Sequence, residues 1–347
     1  MTKVDYRVAN KHVKFSAIAE SKQQSCLYQT TTTLTRCPKY ALYRPVLQRT
    51  AIEELNEDPD RLDADILALR TWLKQQAHIR SRSDDQFLVS FLRGCKFSLE
   101  KAKSKLDKYY TLRTQFPEFY TIRDVDNKRI HDILKLGVGL RLPIPLHDDG
   151  PRVIYVRPGC YPADKYTFEE IMAISNALNA LSIQFDDHAV IHGYVVLLDF
   201  SDYTASHLLQ MTPSVIKKMA RFAEDAMPVR DKGTHMIHTN PAFEMSFNLL
   251  RSAMSAKQQE RLSVHGSNLE SLYEHIPQRY LPTHLGGEQG TIEELKESAW
   301  STFVECQQYL KEESNYGVDE KLRPGGRCND YDSIFGVDGS FRKLNFD

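Results

Sequence analysis

The 347-residue chain has little of four things, each of which would point to a class of protein. Its six cysteines, at 26, 37, 95, 160, 306 and 328, include no CxxC pair. Scattered so thinly, they fit reduced thiols in an intracellular compartment better than a disulfide framework. No apolar run approaches membrane-spanning length, the longest near-continuous one being YVVLLDF at 194–200. The N-terminus, MTKVDYRVANKHVKF, mixes charges with single apolar residues and lacks the uncharged core of a secretory signal. Charge of one sign is also missing: 45 Lys and Arg against 46 Asp and Glu leave a net charge of -1. No global field recruits nucleic acid or an anionic membrane, so any such attraction must be local.

Catalytic signatures are equally scarce. GVGLRL offers Gly137 and Gly139 but places Leu142 where a third dinucleotide-binding glycine would stand. With no GxxxxGK[ST], Asp199 at the end of an apolar strand lacks the phosphate loop that would make it a magnesium ligand, and it reads more simply as a turn or capping residue. There is no GxSxG nucleophile elbow. The histidines at 235, 238, 265, 275 and 284 form no HExxH and pair with no cysteine at ligand spacing, so they read as core or surface residues. No catalytic residue, metal or cofactor is expected. An enzyme acting on lipid esters would need a clustered nucleophile and base that these patterns do not supply.

What is present is patterned apolar surface. At 41% apolar and 26% charged the chain has the composition of a globular protein, and its length allows about two domains. Residues 1–45 lack a sustained period and read as a flexible leader. From Leu62 the stripe Leu62, Ile66, Leu69, Leu73, widened by Trp72, has helical spacing; Phe87, Leu88, Phe91, Leu92 and then Ala102, Leu106, Tyr109, Tyr110 repeat it. These make a small helical bundle. Beyond about 137 the rhythm becomes strand, helix, strand: RVIYVRP (152–158), GYVVLLDF (193–200) and THMIHT (234–239) are of strand length, with a long helix over TFEEIMAISNALNALSIQF and two helices opened by Thr212-Pro213 and Asn240-Pro241. The fold class is α/β, with a mainly parallel sheet behind an all-α bundle.

Two features stand out as candidate function. In PAFEMSFNLLRSAM (241–254), Phe243, Phe247, Leu250 and Met254 form one stripe and Met245 and Leu249 extend it. A helix this apolar is either ordinary core or the cover of a cavity holding an apolar molecule. Around it stand four cations: Arg230 and Lys232 before the third strand, then Lys257 and Arg261, four apart and expected on one helix face. They are either scattered surface charge or a site for an anionic headgroup.

These residues together resemble the CRAL-TRIO lipid-binding family, in its alpha-tocopherol transfer protein-like branch. DDQFLVSFLRGCKFSLEKAKSKLDKYY (84–110) resembles the helical domain ahead of the lipid pocket, with Phe91, Leu92, Arg93 and Phe97 holding FLRxxxF. The likeness continues through LLDFSDYTASHLLQMTPSVIKKMARFAEDAMPVRDKGTHMIHTNPAF and LSVHGSNLESLYEHIPQRYLPTHLGG, covering about 62–300, and the tail YDSIFGVDGSFRKLNFD resembles that of insect members. The resemblance implies a carrier that encloses one lipid-like molecule beneath a mobile gate helix, here 241–254, with a basic cleft for phosphoinositide headgroups at Arg230, Lys232, Lys257 and Arg261. Departures from the family pattern are Cys95 in place of a further cleft arginine, Asp202 in place of a glycine, His284 in place of an acidic residue, and Asn176 and Ala180 in place of a polar serine pair on the pocket's long helix.

The expectations are then specific. Residues 1–45 are a leader, 46–125 the helical domain, 126–300 the lipid-binding domain, and 301–347 a C-terminal helix and extended tail. The pocket is lined by Ile174, Leu178, Leu181, Val196, Leu198, Met211, Met219, Phe222, Phe243, Phe247 and Leu250. The protein is a monomeric cytoplasmic carrier of a retinoid, tocopherol or other lipid, peripherally associated with phosphoinositide membranes, without nucleic-acid partners. The alternative is a phosphoinositide-sensing interaction module that carries no ligand.

Overall fold

In a computed structural model the described residues are 45–122 and 124–325. The expected leader, except Pro45, and the tail beyond Gly325 lie outside them.

The helical unit opens with α1 (Pro45–Leu55) and α2 (Leu62–Gln75), whose Leu62, Ile66, Leu69 and Leu73 are all buried as their spacing dictates. A two-residue strand β1 (Ile79–Arg80) leads to α3 (Asp85–Gly94), where the Asp84 carboxylate accepts from the Phe87 amide at 3.0 Å, and then to α4 (Leu99–Gln115). Phe87, Phe91, Tyr109 and Tyr110 meet with ring centroids 5.0 to 6.3 Å apart. Arg93, the arginine of FLRxxxF, is buried in this core and ion-pairs with buried Glu57 at 2.8 Å. Neither charge is left alone out of water, which is the condition for such a pair to be tolerated.

Short helix α5 (Pro117–Tyr120) and α6 (Lys128–Leu136), ended by left-handed Gly137, lead into the sheet. Its strands are β2 (Gly139–Arg141), β3 (Arg152–Val156), β4 (Tyr194–Asp199), β5 (Asp231–Ile237) and β6 (Leu262–Gly266), in that spatial order. The β2–β3 pair is antiparallel and the other three pairs are parallel. Between β3 and β4 run α7 (Phe168–Phe185), begun by a Thr167–Glu170 capping box, and α8 (Asp187–His192). Between β4 and β5 come α9 (Ala205–Gln210), α10 (Pro213–Arg221), capped by Thr212, and a π-helical turn at Phe222–Ala226. Between β5 and β6 lie α11 (Pro241–Ala253), whose Asn240 cap accepts from the Phe243 amide at 3.0 Å, and the single turn α12 (Ala256–Gln259). After β6 follow α13 (Glu270–Tyr273), α14 (Ile292–Glu305), α15 (Gln307–Glu313) and β7 (Gly317–Val318). Strand β7 pairs antiparallel with β1 and so returns the chain to the helical unit.

Strand alternation gives the sheet two unlike faces. Val153, Tyr155, Val195, Leu197 and Ile237 point to one and are buried against Leu272, Ile276, Leu281, Leu285 and Leu295. Ile154, Val156, Val196 and Leu198 point to the other and are only partly buried, although β3 and β4 are flanked by strands on both sides. The apolar residues of these central strands are thus sealed on one face and only half buried on the other.

One expectation is corrected. Lys257 and Arg261 do not share a helix face: α12 ends at Gln259, and Arg261 sits in the turn that starts β6. Leu262, Ser263 and Val264 continue a parallel ladder onto Thr234, His235 and Met236, and the hydrogen bonds of that ladder outweigh further helix growth.

Candidate functional site

The apolar site lies over the half-open face. Leu198, Phe243 and Phe247 come together there with Phe200, Met236 and Leu262. The Phe200 and Phe243 rings are 4.4 Å apart and those of Phe243 and Phe247 5.3 Å. Val196 shares the strand face of Leu198 and is half buried, as are Met211 at the end of α9 and Met219 on α10. The Leu250 side chain lies outside the described residues.

The other expected lining residues have contacts of their own. Ile174, Leu178 and Leu181 pack with Ile133, Leu134 and Phe303 in a core that Val156, from the same strand face as Val196 and Leu198, also joins. The gap beside Ile174 and Leu178 is about 10 Å3, room for no more than a water. Phe222 stacks on Tyr120 at 4.3 Å and reaches Tyr109 at 6.0 Å, joining the helical unit to the π-turn. Asn176 is buried and donates from Nδ2 to the Phe119 carbonyl at 3.1 Å, so at least one of its protons is committed to the protein.

The second site is basic. Arg230 and Lys232 flank the start of β5, and Arg261, at the start of β6, donates to the Asp231 carbonyl between them. Arg230 donates to the Ile191 carbonyl, while its Nε is buried without a hydrogen-bond partner. Burial pulls this guanidinium below its ordinary pKa; Glu54 opposes that and Arg261 adds to it. An orphaned donor on a cation crowded by another cation is a group that an anion would stabilise. Lys257 is exposed on α12, and Lys96, beside buried Cys95, is exposed too. Burial raises the Cys95 thiol, so this position adds no charge.

Two members of the basic site were not read from the sequence. Glu54 on α1 ion-pairs with Lys232 at 3.4 Å, and His192, whose Nε2 is buried without a partner, sits in the field of Glu54, Lys232 and Arg230. The geometry depends on a close approach: a Cβ on Gly94 would lie 2.1 Å from the Pro228 carbonyl oxygen, so α3 rests directly on the loop that presents Arg230.

A third cluster gathers a serine, a histidine and an aspartate at the C-terminal ends of β4 and β5. Ser201 Oγ donates to Asp199 Oδ1 at 2.6 Å, and His238 Nδ1 lies 2.8 Å from the same oxygen and 3.0 Å from Ser201 Oγ. Tyr155 donates to Asp199 Oδ2 at 2.6 Å and its hydroxyl lies 2.9 Å from His284 Nε2. Burial pushes the Asp199 carboxyl up, but the hydrogen bonds from Ser201, Tyr155 and His238 outweigh it and hold the group below its ordinary value. Nucleophile activation needs one imidazole nitrogen on the carboxylate and the other on the hydroxyl. Here Nδ1 meets both and the serine proton goes to the aspartate, so the cluster organises turns. Asp202 beside it has φ +63°, a conformation glycine adopts freely and aspartate tolerates.

No helix among the described residues is long and apolar enough to cross a membrane. Residues 146–287 match the family described as CRAL/TRIO domain and residues 58–130 that described as Pinta-like, UBA domain. Alpha-tocopherol transfer protein-like of Homo sapiens is 31% identical over 290 residues, 82% of this chain and 79% of that protein. Clavesin-2 of Homo sapiens is 28% identical over 273 residues, 78% of this chain and 81% of that protein. The crystal structure of Sfh5 aligns with a TM-score of 0.41 at 10% identity, over 73% of this chain and 91% of that one.

Proposed function

The chain belongs to the CRAL-TRIO family, and from that premise we propose that it is a lipid carrier: it encloses one small hydrophobic molecule over the half-open face of its sheet and exchanges it at anionic, phosphoinositide-containing membranes. The observation that carries this reading is the contrast between the two faces of β3 and β4, sealed on one side and partly open on the other. The apolar cluster of Leu198, Phe243 and Phe247, with Val196 on the same strand face, offers apolar contact and little hydrogen bonding, which suits a terpenoid chain such as a retinoid or tocopherol. Burial at about 25 cal/mol per Å2 offsets the loss of membrane solvation. With Asn176 bonded to Phe119, the polar end of the cargo is met by other groups.

The membrane side follows from surface chemistry. Leu209 on α9 and Met245 on α11 are 79% and 62% exposed on neighbouring helices over that same face, and Arg230, Lys232, Lys257 and Arg261 supply cations. Exposed apolar residues together with basic ones suit a transient contact with an anionic bilayer by a cytoplasmic, monomeric protein. Native mass spectrometry of the purified protein, followed by solvent extraction, tests the reading. A stoichiometric lipid names the cargo class. An empty protein that also takes up no lipid from loaded vesicles overturns the carrier in favour of a phosphoinositide-sensing module.

A further inference from the structure

The C-terminal segment runs along α4 in one direction. The Val318 amide donates to Thr114 Oγ1 at 2.9 Å; five residues later Arg323 donates to Thr111 Oγ1 at 2.8 Å and to Asp107 Oδ2 at 2.7 Å. The path therefore moves from the C-terminal end of α4 toward its N-terminal end. Residues 111, 107, 103 and 99 form one i, i+4 row on that helix, so the next members of the ridge Arg323 grips are Lys103 and Leu99. These two border an open groove of about 500 Å3, whose opposite wall on α2 includes Ala64, Leu67, Ala68 and Trp72. Leu67 is 58% exposed there. An apolar groove therefore lies on the course of the chain, roughly 6–12 Å beyond the last grip at 1.5 Å of helix rise per residue.

We infer that this groove is the docking site of the chain's own C-terminal segment, residues 326–347, with Ile334 and Phe335 as its apolar anchors. Twenty-two residues follow Gly325, at up to about 3.3 Å each, so reach is ample. The segment carries Tyr331, Ile334, Phe335, Phe341, Leu344 and Phe346, and Asp330 and Asp332 stand just ahead of the anchors to meet Lys103 on the rim. Docking extends the clasp begun by β7 on β1 across the outer face of the helical unit and covers its exposed apolar surface.

The full-length chain tests this directly. With the photo-crosslinker p-benzoylphenylalanine in place of Phe335, illumination joins residue 335 to peptides within 62–75 or 99–103 of the same molecule. In a Trp300→Phe background, where Trp72 is the remaining tryptophan, the double substitution I334D/F335D shifts Trp72 emission to the red and lowers the docked-to-free ratio at least about tenfold, the scale set by burying one large apolar side chain. Leu67→Ser, a change at an exposed position, lowers the crosslink yield without changing the melting temperature of residues 45–325 in the full chain. Crosslinks that join two molecules in a concentration-dependent way, or that fall on the sheet, overturn the proposal. Trp72 emission unmoved by I334D/F335D overturns it as well.

Discussion

Glu54 and Lys257 should act on membrane binding in opposite directions. Glu54 lies 3.4 Å from Lys232 and also bears on Arg230 and His192, so it places one negative charge inside the basic site. Glu54→Gln removes that charge and frees Lys232. A single charge next to an anionic leaflet is worth about 1 kcal/mol, or about fivefold in affinity. The lost ion pair, half exposed on both sides, costs at most about 1 kcal/mol of stability, so the fold survives. Lys257→Glu changes the same field by two charges, about 2 kcal/mol, and should weaken binding about thirtyfold at low salt. The assay is sedimentation with phosphoinositide-containing vesicles at low and physiological ionic strength, with zwitterionic vesicles as the reference. Expected are tighter binding for Glu54→Gln, weaker for Lys257→Glu, and convergence of both on the wild type as salt rises. Two variants that move in the same direction, or that stay within twofold of wild type, would refute the placement of the membrane site at this cluster.

Other outcomes follow from burial and conformation. Glu313 is buried and accepts from Arg82 Nε at 2.5 Å and Arg113 Nη2 at 3.0 Å; Glu313→Ala takes the carboxylate from buried Arg113 and leaves Arg82 with Glu312, and should cost roughly 3–5 kcal/mol in denaturant unfolding, and a loss below 1 kcal/mol would contradict the clasp between α15 and the helical unit. Asp202→Gly, at φ +63°, should raise stability by about 1 kcal/mol, and a lower denaturation midpoint would argue against that backbone conformation. Gly94→Ala should destabilise by about 1–3 kcal/mol, because its Cβ would lie 2.1 Å from the Pro228 oxygen, and should also weaken vesicle binding through Arg230; unchanged binding would separate the two. Burial first, then His265 and His275, push His235 down to about 4, and His265 is lowered in the same direction. A histidine whose folded pKa lies below its unfolded value of about 6.5 contributes stability that is complete above that pH and is lost as pH falls toward 4. His235→Asn should flatten the decline seen by chemical denaturation between about pH 6.5 and 5, and an equally steep profile would remove His235 as its source.

What was legible in the chain was everything that repeats locally. Leu62, Ile66, Leu69 and Leu73 announce α2 by spacing, and Thr212 with Pro213 and Asn240 with Pro241 announce two helix starts, because a cap acts within one turn. The apolar runs at 152–158 and 193–200 announce buried parallel strands for the same reason. Strand β6 was missed since LSVHG is short and follows a helical turn, and its ladder partner lies 28 residues earlier in sequence. Lys257 and Arg261, four apart in sequence, do not share a helix face because α12 ends at Gln259 and Arg261 lies in the turn that leads into β6.

Composition and period thus determined the class of this protein: a helical unit followed by a mainly parallel α/β sheet, apolar where helix 241–253 lies and basic around it. Tertiary structure alone decided which apolar residues meet. The stripe of Ile174, Leu178 and Leu181 reports only that a side of the helix is apolar, and what packs against it is chosen by elements more than a hundred residues away, such as Phe303. The same holds for charge. Glu54 reaches Lys232 across 178 residues, a distance no local pattern spans, and it does so because α1 and β5 are brought to one surface by the folding of the whole chain.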